Sequence, residues 1–89
     1  MTVAFDEAKR KFTLETRGLD MARADEVLAG STLTVRDHRR DYGEDRFITI
    51  RFLDRRMVVL VWTPRNRDLR IISMRKANER EQALYASRF

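Results

Sequence analysis

Residues Met57–Ala77 read MVVLVWTPRNRDLRIISMRKA, and how they are read decides the fold. The apolar run Met57–Trp62 gives way to a polar turn, Thr63–Asp68. A second run rich in β-formers, Leu69–Met74, follows and ends in Arg75-Lys76-Ala77. The β-branched side chains of Val58, Val59, Val61, Ile71 and Ile72 lose χ1 freedom in a helix and suit a pleated, packed surface. The pattern predicts a β-hairpin whose first strand is buried, handing over to a helix.

Upstream of the hairpin, Phe47–Leu53 alternates, with Ile48, Ile50 and Phe52 making one fully apolar face and Phe47, Thr49 and Arg51 a mixed one. Asp54-Arg55-Arg56 turns this strand into the hairpin. Leu33–Arg36 reads as a shorter strand, and the segment between, Asp37–Arg46, is too charged for a core and reads as an exposed loop. Two helices come first. Asp6 caps one with Phe5, Ala8 and Phe12 on one face and Gly18 as its stop, and Asp20 starts a second of about ten residues, with Ala24, Val27 and Leu28 apolar and Gly30 as its stop. Asn78 with Glu81 three residues later starts a last helix carrying Leu84 and Tyr85. The predicted fold is α+β: two N-terminal helices, a four-stranded mainly antiparallel sheet and a C-terminal helix, in a single domain over residues 1–89.

A chain of this length buries only roughly 60–65 % of its unfolded surface, so a partner that covers more apolar area would stabilise it. It has no cysteine, which excludes disulfides and thiolate metal sites. One histidine and scattered carboxylates show no metal-ligand spacing, and no P-loop or dinucleotide fingerprint is present, so no cofactor is implied. No apolar run approaches a membrane span and no signal-peptide pattern opens the chain; the expected location is the cytoplasm, with no membrane partner. The net charge is +5, and of nineteen basic residues all but Lys9, Lys11 and Lys76 are arginine. Arginine grips phosphate and carboxylate in a two-toothed fork and stacks on bases, which favours an anionic partner such as nucleic acid or an acidic protein. A genome rich in Arg codons would produce the same bias.

Three segments carry a family resemblance: Phe5-Asp6-Glu7-Ala8-Lys9; Arg40–Ile50, RDYGEDRFITI; and Arg70–Ala77, RIISMRKA, with Glu79 and Glu81. Together they resemble the BrnT-type toxins of bacterial type II toxin–antitoxin systems, in the same order and at similar spacing. The resemblance implies a RelE-like fold and a ribonuclease that stops translation. It implies as partners an RNA substrate and a BrnA-type antitoxin in a toxin–antitoxin hetero-oligomer, with operator DNA reached only indirectly through the antitoxin. Two positions depart from the family pattern. Thr16-Arg17-Gly18 stands where Lys-His-Gly is common, which removes one possible proton-transfer group, and Arg51 follows the Ile-Thr-Ile strand where a glycine is common.

Metal-independent RNA cleavage needs the 2′-OH activated, the phosphorane stabilised and the departing 5′-oxygen protonated or charge-compensated. Arg46, Arg70, Arg75 and Lys76 are the basic members of the two most specific segments and the first candidates for the catalytic charge. In a strand Arg70 and Ile72 share a face, so Arg70 either borders the core or lines a cleft, and Arg75 and Lys76 precede a helix N-terminus, which favours phosphate. Their structural alternative is a solvated surface paired with Glu44, Glu79 and Glu81. His38 is the lone histidine, with a reference pKa near neutrality, and Arg36, Arg39 and Arg40 beside it disfavour the imidazolium; as a loop residue it could equally be incidental. Glu44, Asp41 and Tyr42 are alternatives for acid or base, although Tyr42-Gly43 could simply build a tight turn. Arg39, Arg40, Arg65 and Arg67 are candidates for holding RNA. Trp62 and Tyr85 could stack on bases but read first as core or partner-interface positions. The same residues admit two other readings: a non-catalytic nucleic-acid-binding module, and a toxin of the same fold that acts on a topoisomerase.

Overall fold

In the computed structural model, which describes residues 2–29 and 32–89, the chain runs β1 (Thr2–Ala4), α1 (Glu7–Arg17), a 3₁₀ turn (Met21–Arg23) and α2 (Ala24–Leu28). It continues through β2 (Leu33–Arg36), β3 (Phe47–Leu53), β4 (Arg56–Arg65), β5 (Asp68–Lys76), α3 (Glu79–Tyr85) and a closing 3₁₀ turn (Ala86–Arg88). The strands form one sheet in the order β1-β5-β4-β3-β2.

The expected hairpin forms and is longer than its apolar runs, because β4 and β5 take in most of the polar turn and leave only Asn66-Arg67 between Arg65 and Asp68. Asn66 supplies the left-handed residue (φ 56°), a conformation its short polar side chain tolerates. Pro64 sits beyond Trp62, the last β4 residue paired to β3, where β4 is an edge and a missing donor costs little. The sheet differs from the expected four-stranded one. Thr2–Ala4 adds a fifth strand parallel to β5, with Val3 opposite Leu69, and makes the sheet mixed. Three residues are too few to show a period of two. The second helix is also shorter than expected: Asp20 does accept from the Ala22 amide, but it caps a 3₁₀ turn followed by only the five residues of α2. The expected stop at Gly30 lies outside the described residues.

Two layers cover the sheet. On one face Leu19, Met21, Ala24 and Val27 pack on Leu53, Val58, Leu60, Ile71 and Met74, the main core. On the other, Ile50, Met57, Val59 and Ala77 form a smaller cluster with Ile48 and Tyr85 packed against it. β4 therefore buries both faces, which is why Met57–Val61 is apolar without alternation. β3 turns its mixed face to the main core: Thr49 is fully buried, satisfied by the Thr34 hydroxyl at 2.8 Å and the Trp62 indole N–H at 2.9 Å. Its all-apolar face meets the smaller cluster and leaves Phe52 exposed, edge-on to Phe89.

A register shift between Val61 and Trp62 leaves Ile72 as an extra residue on β5. Arg70 pairs opposite Thr63 and Ser73 opposite Val61, so Arg70 shares its face with Ser73 and Arg75 rather than with Ile72 as uninterrupted alternation predicted. Ile72 is freed to line a groove against α1. α1 is bounded as expected, by Asp6 accepting from the Lys9 amide and by Gly18 at φ 67°. Only Thr13 of this helix is buried, and Phe12 is 59 % exposed. No described helix is long and apolar enough to cross a membrane.

Candidate active site

The α3 face of the sheet carries a cleft of about 250 Å³. Its floor is aliphatic, from Val35, Ile48, Ile50, Val59 and Val61, and its polar rim is Arg39, Ser73, Arg75, Glu81 and Tyr85. Strand pleating puts Arg75 there, since it lies directly opposite Val59. α3 brings Glu81 and Tyr85, and its start is set by a capping box in which the Asn78 side chain accepts from the Glu81 amide while Glu81 accepts from the Asn78 amide.

Glu81 does a second job with the same carboxylate. It receives both Arg75 terminal nitrogens, Nη1 at 2.7 Å and Nη2 at 2.9 Å, so a long flexible cation is held in one orientation at the cleft wall. This pairing holds the Glu81 carboxyl below its ordinary range, with the Asn78 amide helping. It raises the Arg75 guanidinium in turn, against desolvation and a smaller opposing push from Arg39. Glu81 is thus a fixed carboxylate and a weak proton acceptor.

Arg39 is held in the same way by a residue the sequence hid. Asp37 belongs to the segment expected to be an exposed loop, yet its side chain is wholly buried. Its backbone amide donates to the Arg46 carbonyl at 2.8 Å and closes the base of that loop. Its carboxylate receives the Arg39 Nε (2.8 Å), Nη2 (2.7 Å) and amide (3.1 Å) and the Tyr42 hydroxyl (3.2 Å). The Arg39 guanidinium is the main reason that the Asp37 carboxyl lies far below the usual carboxylate range, more than offsetting desolvation. Tyr42, fixed by this bond, carries the Arg46 guanidinium 4.0 Å from its ring centroid. Arg46 also pairs with Glu44 at 3.1 Å, and Glu44 reaches Arg65 at 3.5 Å.

The sequence candidates therefore separate into groups. Arg75 and Arg39 share the cleft. Arg46, Glu44 and Arg65 form a second cluster, with Arg46 over the Tyr42 ring, and His38 and Arg40 line the loop's own hollow beside Arg46. Arg70 is on the cleft face but opposite Thr63, four β4 residues from Val59 and so about 13 Å along the strand from Arg75. Lys76 lies opposite Val58, on the other face, and Arg67 occupies the exposed β4–β5 turn. Sequence reasoning missed Asp37 as an anchor and Ser73 as a lining residue, and it took Glu81 only as a cap and a possible ion-pair partner. The Asp37-x-Arg39 spacing at the end of a strand was the one available signal, and it is a weak one.

A family model described as "Ribonuclease toxin, BrnT, of type II toxin-antitoxin system" matches residues 5–81. The chain belongs to the BrnT family of ribonuclease toxins. The match takes in every cleft residue except Tyr85 and the whole 37–46 loop, so the toxin's rim arginines fall within the family domain. Among solved structures, the toxin is similar to the crystal structure of the Brucella abortus ribonuclease toxin BrnT, with a TM-score of 0.64 and 25 % identity over 89 % of this chain and 99 % of that one. No curated protein sequence matches.

Proposed function

We propose that the toxin cleaves RNA endonucleolytically at the α3-side cleft, without a metal ion, and so stops translation. The observation that carries this is the pair Arg39 and Arg75, on one cleft and each gripped by a carboxylate through two side-chain hydrogen bonds. Attack of a 2′-oxygen on the adjacent phosphorus builds negative charge on the non-bridging oxygens. Two guanidinium groups already oriented by Asp37 and Glu81 meet that charge with little reorganisation. The aliphatic floor and the Tyr85 ring suit the sugar and base. Arg46, Arg65 and Arg70 extend positive charge along the same face for flanking phosphates, and His38 and Glu44 on the loop are the proton-transfer candidates. In this reading the fold is RelE-like, the location is the cytoplasm, and the partner is a BrnA-type antitoxin in a hetero-oligomer that alone contacts operator DNA.

The test is RNA cleavage by purified protein. Arg39→Ala and Arg75→Ala are each expected to lower the rate about 10²–10³-fold, the scale of losing one preorganised charge donor. Excess EDTA is expected to leave the rate unchanged. A folded double variant that cleaves at the normal rate would refute the site, and activity lost to EDTA and restored by Mg²⁺ would refute metal independence.

A further inference from the structure

We propose that a groove between α1 and the outer edge of β5, which shares only Ser73 with the cleft, is the docking site of the toxin's antitoxin, which inserts apolar side chains flanked by carboxylates. This rests on the reading that the chain works with a protein antitoxin, and three observations carry it. The first is an apolar concavity of about 410 Å³ with Thr13 and Met21 in its floor and Phe12 and Ile72 in its walls. Phe12 is 59 % exposed on a helix in which six of the eleven residues are charged, and an exposed aromatic side chain beside an apolar concavity is a characteristic anchor for a protein partner.

The second is the backbone. β1 pairs with β5 over Asp68–Arg70 and stops at Ala4 opposite Arg70, so from Ile71 onward this edge of β5 has no strand partner among the described residues. The Arg17 Nη1 donates to the Met74 carbonyl at 2.9 Å, which both covers part of the edge and fixes a cation at the groove's rim. The third is charge. Lys9 and Arg17 line the groove, no carboxylate does, and neither cation forms an ion pair among the described residues. The cleft arginines, by contrast, are each held by a carboxylate, Asp37 or Glu81. A groove that is apolar at its centre and cationic at its rim complements an acidic protein segment whose apolar side chains fill the Phe12 and Ile72 surface while its carboxylates meet Lys9 and Arg17.

The experiment measures affinity for the protein encoded beside the toxin gene, by calorimetry, together with RNA cleavage by the free toxin and its size in solution. Phe12→Glu, at an exposed helical position, is expected to keep the melting temperature and cleavage rate while weakening that affinity about 30-fold or more. Lys9→Glu is expected to weaken it less and to flatten its salt dependence. Wild-type affinity in a folded Phe12→Glu protein would overturn the proposal. So would a self-dimer of the isolated toxin that Phe12→Glu dissolves, since the groove would then hold a second copy. If the neighbouring protein does not bind the wild-type toxin at all, the antitoxin reading itself fails, and this site with it.

Discussion

The two faces of the sheet are built to opposite specifications. Under α1 and α2, nine buried apolar side chains meet with the polar atoms of Thr49 satisfied, and no charge enters. Under α3 the buried cluster has only four members, α3 itself buries none of its residues, and the rim carries two guanidinium–carboxylate pairs. One face supplies stability, at roughly 1.5–3 kcal/mol for each large apolar side chain buried. The other keeps charge fixed near solvent, which contributes little to folding and suits binding an anion. In so small a chain, separating the two lets the cleft stay open without emptying the core.

The sharpest way to break this comparison is to strike each face once. Leu60→Ala, at a fully buried position of the main core, is expected to cost about 3–4 kcal/mol. That is a large part of a small domain's total, and chemical denaturation would measure it. Its folded fraction should still cleave RNA at the normal specific rate. Arg75→Ala is expected to do the reverse, with cleavage down about 10²–10³-fold and the denaturation midpoint nearly unchanged. If Leu60→Ala abolished cleavage in fully folded protein, or Arg75→Ala unfolded the chain, the division of labour would be wrong.

This division also explains what could be read from the sequence. The main-core strand was legible because Met57–Val61 is apolar on both faces, and α1 and α3 because Asp6, Gly18, Asn78 and Glu81 are cap residues whose effect is local. β1 was not, since three residues gain strand geometry only from their partner in β5. The site was half legible. Arg39 and Arg75 could be nominated from residue type and from the family resemblance, but bringing residues 36 positions apart to one cleft needed the register of the sheet. The bulge at Ile72 changed the face of one β5 residue relative to another, which no periodicity argument anticipates. Asp37 was read as solvated because its neighbours are charged, although those neighbours are what make its burial tolerable.

Asp37 gives the next prediction, because among the described residues it is the one charged residue that is buried. Asp37→Asn removes the charge from a carboxylate that organises Arg39 and Tyr42, and is expected to cost about 2 kcal/mol at neutral pH and to lower cleavage. The pH dependence follows from the direction of the shift. A carboxyl held below its unfolded value contributes stability that is complete above that value, near pH 4, and is lost as pH falls toward the folded one. Wild-type stability should therefore decline below about pH 4, with Glu81 adding to the same limb, and the variant should decline less steeply. Equal slopes for the two proteins in acid denaturation would show that Asp37 is not the group responsible.

The smallest effects separate the two jobs of Glu81. Glu81→Gln weakens its hold on Arg75 while the side chain can still accept from the Asn78 amide, so cleavage is expected to fall about 10-fold, the scale of one weakened charged contact. With one negative charge gone from the rim, RNA binding should tighten at low salt, a change that mere loosening of α3 would not produce. Asn78→Ala does the converse: it removes the bond to the Glu81 amide, leaves the ion pair to Arg75, and is expected to cost about 1 kcal/mol of stability. Cleavage should then change by no more than about twofold, because the orientation of Arg75 is set by the carboxylate and not by the first turn of the helix. Were Asn78→Ala to match Glu81→Gln in activity, the fraying of α3 would be enough to disarm the cleft, and the α3 face would depend on helix stability in the same way that the opposite face depends on packing.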